Sequence, residues 1–223
     1  MTVGSPVLVG TRDLNGFGQI AYGIAAAGTL TSQTITNNAT TSDAVLTIGG
    51  TGTTTVSTYG GIIKNGASKK IGVTIVGGET LVLSGLATGN TYTLPTLVQN
   101  GTLAIGATNA GAGSSLITLG SAAANGAIDV MGFTATTGGV GGITVDPSVL
   151  AGNVASQIVG NSSTTPGSLV LTPVTAATFA GTVQDVLGAG TSTLRLPRNQ
   201  APQRLSGTKT HPPATPFPAP APR

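Results

Sequence analysis

Between residues 46 and 120 one short phrase recurs: an aliphatic residue, any residue, a second aliphatic, then glycine at once or after one spacer. It is spelled Leu46-Thr47-Ile48-Gly49, Leu81-Val82-Leu83-Ser84-Gly85, Leu103-Ala104-Ile105-Gly106 and Ile117-Thr118-Leu119-Gly120. Two aliphatics two positions apart share one face of an extended strand. Glycine immediately afterwards lets the backbone turn tightly. A chain punctuated in this way folds as many short strands rather than as long helices. The phrases begin 35, 22 and 14 residues apart. Sandwiches and barrels favour even spacing of about 8–12 residues, whereas one solenoid coil takes about 20 residues with loops of variable length. The spacing of 22 between Leu81 and Leu103 fits one coil.

Alternation of apolar residues predicts strands at 45–48, 53–57, 61–64, 72–76, 80–83, 91–94, 96–98, 102–105, 115–119, 127–131, 143–145, 169–171 and 193–196. Gly-Gly, Asn-Gly, Thr-Gly and Ser-Gly lie between them, and helical i, i+3, i+4, i+7 spacing is rare. Such a chain places one aliphatic pair per strand inward, turns on Gly or Asn, and repeats one layer higher.

Composition decides whether these strands pack or stay unfolded. Gly (35) and Pro (13) together make 48 of 223 residues, close to the range of low-complexity chains. Mean hydropathy is nevertheless +0.32 and charged residues are 7%, whereas disorder by self-repulsion needs high charge and low hydrophobicity. The body therefore folds, held by backbone ladders and close stacking of small side chains. With aromatics at 3%, few residues reach far enough to build a pocket.

The net charge of +3 suggests a nucleic-acid partner only until the charges are located. Residues 1–193 hold four bases (Arg12, Lys64, Lys69, Lys70) against six acids (Asp13, Asp43, Glu79, Asp129, Asp146, Asp185), a balance of −2. Arg195, Arg198, Arg204, Lys209 and Arg223 follow with no acid, giving +5. A near-neutral body carries no phosphate-neutralising stripe, so no nucleic acid is expected. There is no cysteine, hence no disulfide and no thiolate metal site. No stretch approaches the roughly 18 uninterrupted apolar residues of a membrane-spanning helix. Residues 20–27 faintly resemble a signal-peptide core, but Asp13 cancels the preceding Arg12.

Three regions follow: an N-terminal segment at 1–28, serving as a cap or a weak signal-like stretch; a β-solenoid at 29–196; and a disordered Pro/Arg-rich tail at 197–223. Eight of the 13 prolines fall in that tail, a density no strand ladder tolerates.

The order of blocks across residues 61–106 carries a resemblance. Gly61-Ile62-Ile63, Thr80-Leu81-Val82-Leu83-Ser84-Gly85, Asn90-Thr91-Tyr92-Thr93 and Asn100-Gly101-Thr102-Leu103-Ala104-Ile105-Gly106 appear in sequence. This string resembles the autotransporter-associated β-strand repeat of bacterial autotransporter passenger regions and related surface proteins. It departs from the family at Glu79 and Leu94, where glycine is usual. The resemblance implies a right-handed parallel β-helix, secreted through the outer membrane and displayed at the cell surface as an adhesin or stalk. Host-cell or matrix surfaces and glycans are then the expected partners.

No catalytic, cofactor or metal site is assigned. Gly16-Phe17-Gly18-Gln19-Ile20-Ala21 matches a dinucleotide-binding pattern by letter, but no βαβ unit follows. The glycines at 138–142, ahead of Asp146, suggest a calcium-binding nonapeptide, but Gly142 occupies the nearest ligand position. A polysaccharide-cleaving β-helix needs paired carboxylates, and Asp129 with Asp146 is the closest pair along the chain. His211, the single histidine, lies among prolines, leaving a serine triad without a base. Tyr59 and Tyr92 read first as core residues and second as sugar-stacking platforms. The leading expectation is a non-enzymatic extracellular structural or adhesive solenoid, a passenger fragment. The alternatives are a carbohydrate-active β-helix enzyme, or an ice-binding face built from the Thr-x-Thr strings at 29–31, 34–36, 53–55 and 91–93. Bare solenoid ends, with open strand edges, also lead us to expect self-association.

Overall fold

The computed structural model describes residues 1–3, 10–26, 33–50, 55–85, 90–108, 113–137, 143–149, 151–171, 177–195 and 203–210. Within them the chain winds as a parallel β-solenoid. Its first pass carries β1 (Thr2–Val3), β2 (Thr11–Asp13) and β3 (Gln19–Ala21). The second carries β4 (Ala25–Ala26), β5 (Thr34–Thr36) and β6 (Ala44–Ile48). The third carries β7 (Val56–Tyr59), β8 (Ile62–Ile63) and β9 (Ile71–Ile75). Next come β10 (Glu79–Leu83), a single bridge from Thr91 to Lys64, and β11 (Thr96–Val98). Then follow β12 (Gly101–Ile105) and β13 (Ile117–Leu119), and after them β14 (Gly126–Asp129), β15 (Thr134–Thr137) and β16 (Ile143–Val145). A 3-10 helix over Ala151–Ser156 leads into β17 (Ile158–Gly160), β18 (Gly167–Leu171) and β19 (Ala177–Phe179). The last strands are β20 (Thr182–Gln184), β21 (Leu194–Arg195), β22 (Gln203–Leu205) and β23 (Lys209–Thr210).

Stacking these passes builds the faces of the solenoid. One is a seven-stranded sheet in the order β23-β20-β17-β14-β12-β10-β7, and a second is a six-stranded sheet in the order β16-β13-β11-β9-β6-β3. Shorter ladders, β2-β5-β8 and β15-β18-β21, line a third face. The coil is not of fixed length. Partners in adjacent passes lie 21 residues apart at Thr96↔Ile117, 22 at Leu81↔Leu103, and 34 at Thr134↔Ser168. The extra residues leave the faces as turns and the 3-10 helix, so the register survives the irregular spacing.

The aliphatic pairs form the core as columns. On the seven-stranded face Ser57, Leu81, Leu103, Ile128, Val159 and Val183 stack in register. On the six-stranded face one column is Leu46, Val73, Thr96, Ile117 and Ile143, and its neighbour is Ile48, Ile75, Val98 and Leu119. All of these are buried, and each large aliphatic so buried contributes about 1.5–3 kcal/mol. The four recurrent phrases divide between the two faces. Leu81 and Leu103 belong to one, Leu46 and Ile117 to the other, which is why only the 22-residue step equals one coil.

Polar side chains inside the solenoid tie the passes together at the corners. Asn37 Oδ1 accepts from Gly16 N (2.7 Å), while its Nδ2 donates to Ser42 O (3.0 Å) and to Lys70 O (3.1 Å), spanning three passes. Asn161 repeats the device, accepting from Gly132 N (2.8 Å) and donating to Thr165 O (2.9 Å) and Thr193 O (3.2 Å). Gln157 Oε1 accepts from Gly126 N at 2.6 Å. Each satisfies backbone groups that a turn would otherwise bury unpaired. Asp13 does the same at an exposed corner. Backbone N–H groups of Asn38 and Asn15 donate to its carboxylate and hold it below the usual aspartate range.

Several expectations shift in detail. No strand forms at 91–94: Thr91 makes one bridge and Tyr92 turns into the core. Pro95 follows Leu94, removing a donor and restricting the residue before it. The N-terminal segment is no separate unit among the described residues, since β1 to β4 pair into the stack. The ladder also passes the composition change at 197. β22 pairs with β19, and β23 with β20, because residues 203–210 contain no proline. The residues from 211 onward, with the rest of the expected tail, lie outside the described ones.

Candidate functional site

The two departures from the repeat pattern take different roles. Glu79 opens β10 in register with Gly101 and is 1% exposed. Its carboxylate accepts from Ser57 Oγ at 2.5 Å and from the Thr55 hydroxyl. Ser57 Oγ in turn accepts from Ile24 N at 3.1 Å. Three passes are therefore linked through one acidic side chain, and no ligand-facing position remains to it. Leu94 sits half-buried at a bend, its N–H donating to Ile71 O at 3.0 Å.

The carboxylates considered for catalysis do not converge. Asp129 ends β14 on the seven-stranded face, and its Oδ1 accepts from Met131 N and Ser162 N, both at 2.9 Å. Asp146 follows β16 on the six-stranded face and accepts from Ser148 N (2.8 Å) and Ser148 Oγ (2.5 Å). Asp146 caps its own turn, and Asp129 caps its turn while also tying it to the next pass. Among the described residues no three His, Cys, Asp or Glu side chains gather as a metal-binding group. The glycines at 138–142 and His211 lie outside the described residues.

At the dinucleotide-like string, Asn15 and Gly16 turn with positive φ (48° and 79°) into β3. The element entered is a strand, not the helix whose N-terminus would hold a pyrophosphate.

Tyr59 and Tyr92 are both fully buried, so neither is a platform. Burial pushes the ionisation of both phenols well above the ordinary tyrosine value. Tyr92 Oη shares a hydrogen bond of 2.7 Å with Thr96 Oγ1, whereas Tyr59 Oη has no partner.

The threonine strings fare no better as a repetitive surface. Thr29, Thr31, Thr53 and Thr54 lie outside the described residues, and Thr36 is buried. The outward column on the six-stranded face runs Ile20, Thr47, Thr74, Leu97, Thr118, Thr144. Leu97 interrupts it, and Thr74 and Thr118 are only 9% and 7% exposed. A lattice of open hydroxyls is not what this face presents.

What the solenoid does present is an apolar strip beside β3 and β6. Phe17 (67% exposed), Ile20 (75%), Tyr22 (76%) and Val45 (41%) all lie there. Ile20 and Tyr22 are two apart around the inward Ala21, and the Tyr22 ring rests on Gly50, where a β-carbon would come within 2.3 Å of Cε1. Sequence reasoning missed Tyr22. The signal was there in the alternation Ile20-Ala21-Tyr22, with the small residue inward. The strands of this sheet carry no charged residue, so the strip offers ring stacking and apolar contact with little electrostatic selection.

Among the described residues no helix is long and apolar enough to cross a membrane. No family model, curated protein or solved structure matches the chain.

Proposed function

We propose that this chain is a non-enzymatic structural or adhesive β-solenoid of the autotransporter-passenger kind, acting at the outer face of a bacterial cell. One observation carries the reading. The ordered blocks of residues 61–106 fall on consecutive passes, with Thr80-Leu81-Val82-Leu83 stacked in register beneath Thr102-Leu103-Ala104-Ile105. A resemblance in block order is thereby supported by the geometry that such a repeat requires. The interior polar groups tie one pass to the next, which suits a stalk, and the exposed strip at Phe17, Ile20, Tyr22 and Val45 suits contact with host, matrix or glycan surfaces.

Protease treatment of intact source cells tests the location: the chain is digested without lysis if it is displayed, and recovery solely in the soluble cytoplasmic fraction would sink the reading. The adhesive role has its own measurement. Replacing Tyr22 and Phe17 together by serine lowers retention on immobilised glycan or matrix by about tenfold, equivalent to roughly 1.4 kcal/mol, with an unchanged far-UV circular dichroism spectrum. Unchanged retention would leave a stalk without an adhesive surface.

A further inference from the structure

Three inward columns end in polar residues at the extremes of the described ladder, while those of Ile48 and Phe179 end in the apolar Ala21 and Leu205. Ile35 and Ile63, each fully buried, stack in register beneath Arg12. Leu46 and Val73, equally buried, stack beneath Gln19. A parallel in-register ladder points equivalent Cβ atoms the same way, so Arg12 and Gln19 occupy the core positions of the first pass. Their side chains meet there: Arg12 Nη2 donates to Gln19 Oε1 at 3.1 Å, joining β2 on one face to β3 on another. Val3 and Leu14, in the same outermost pass, are only 4% and 2% exposed. At the opposite extreme the column Leu81, Leu103, Ile128, Val159, Val183 continues into Lys209, which is exposed.

From this we infer that the inward Arg12, Gln19 and Lys209 of the outermost described passes act as polar caps that reject end-to-end stacking, so that a second copy of the chain does not extend the ladder. A further pass laid on β2 and β3 would bury the Arg12 guanidinium against a column of aliphatic side chains, and one laid on β23 would do the same to the Lys209 ammonium. Neither column offers an acid to pair with them, and an unpaired charge does not enter an apolar core. Open strand edges favour pairing in general, and the inward charges oppose it. This is the arrangement by which terminal repeats keep solenoids soluble.

Sedimentation across a concentration series tests this directly. The wild-type chain is expected to show the mass of one chain throughout, and the Arg12→Ile, Gln19→Val, Lys209→Val triple variant to shift with concentration toward elongated multiples. An Ile20→Thr, Tyr22→Ser variant separates the lateral strip from the ends and should sediment like the wild type. Self-association of the wild type that persists in this strip variant overturns the inference, as does a folded triple variant that stays a single chain. If the triple variant does not fold, Lys209→Val alone takes its place. Its mass should rise toward two chains, and a folded single-chain result counts against the caps equally.

Discussion

Tyr59 and Tyr92 are the same residue in the same kind of place, and they differ in one hydrogen bond. Both are fully buried, yet only Tyr92 Oη has a partner, in Thr96 Oγ1. A buried hydroxyl without a partner carries its desolvation cost uncompensated, while removing one half of a buried pair strands the other. Tyr59→Phe is therefore expected to be neutral or to stabilise by about 1 kcal/mol, and Tyr92→Phe to destabilise by about 1–2 kcal/mol, read by denaturant unfolding. Equal losses at the two positions would contradict this. The pH dependence has a definite sign. Burial raises both phenol values in the folded state, while the unfolded chain ionises near about 10. Their contribution is complete below that value and is lost as pH rises above it. The double Phe variant should hold its midpoint to higher pH than the wild type.

At the scale of the strand, the recurrent glycine turns out to serve two purposes, a positive φ and a close approach of neighbouring atoms. Gly49 and Gly120 end strands of the six-stranded sheet with positive φ (104° and 87°). Gly85, which follows β10 of the other sheet, is there for close approach: a β-carbon would sit 2.4 Å from Gly61 O. At Gly49 both reasons combine, since a β-carbon would lie 2.1 Å from Val76 O. Gly49→Ala should cost at least about 2 kcal/mol. Gly152→Ala, in the 3-10 helix with open space around it, should change stability by less than about 0.5 kcal/mol. A similar midpoint for the two variants in urea would show the packing at Gly49 to be slack. The same division explains what was legible from the chain. Strands with two aliphatics, such as Ala44–Ile48, Ile71–Ile75 and Gly101–Ile105, announce themselves by alternation. Those of two or three residues, such as Thr11–Asp13 with its two charges or Ala25–Ala26, carry no pattern of their own and become strands only because the pass beneath supplies a ladder. Glu79 looks like a departure from the repeat because nothing near it in the chain accommodates a carboxylate. Its hydroxyl partners come from residues 22 and 24 positions away, which no local pattern shows.

For the molecule as a whole, a stack in which each pass touches only its neighbours distributes stability along one axis. The middle passes, from β9 to β13, bury their ladders on both sides and hold the fully buried Ile71, Ile75, Leu81, Leu83 and Leu103. The outermost described passes have one neighbour each among the described strands, and their strands are short, as at Thr2–Val3, Thr11–Asp13 and Lys209–Thr210. Amide exchange is therefore expected to be slowest for the N–H groups of β9 to β12 and to quicken toward both extremes of the described ladder, because outer passes can open without disturbing the centre. The corner amides sharpen the profile. Asn37 and Asn161 each join three passes, and the N–H groups of Gly132 and Ser163 donate to Asn161 Oδ1, so Asn161→Ala should speed exchange at Gly132 and Ser163 while leaving β9 to β12 as slow as before. Peptide-resolved hydrogen exchange by mass spectrometry measures both effects. Exchange at one common rate along the ladder would mean that the solenoid opens as a single cooperative unit, with coupling between passes stronger than the stability of any one of them.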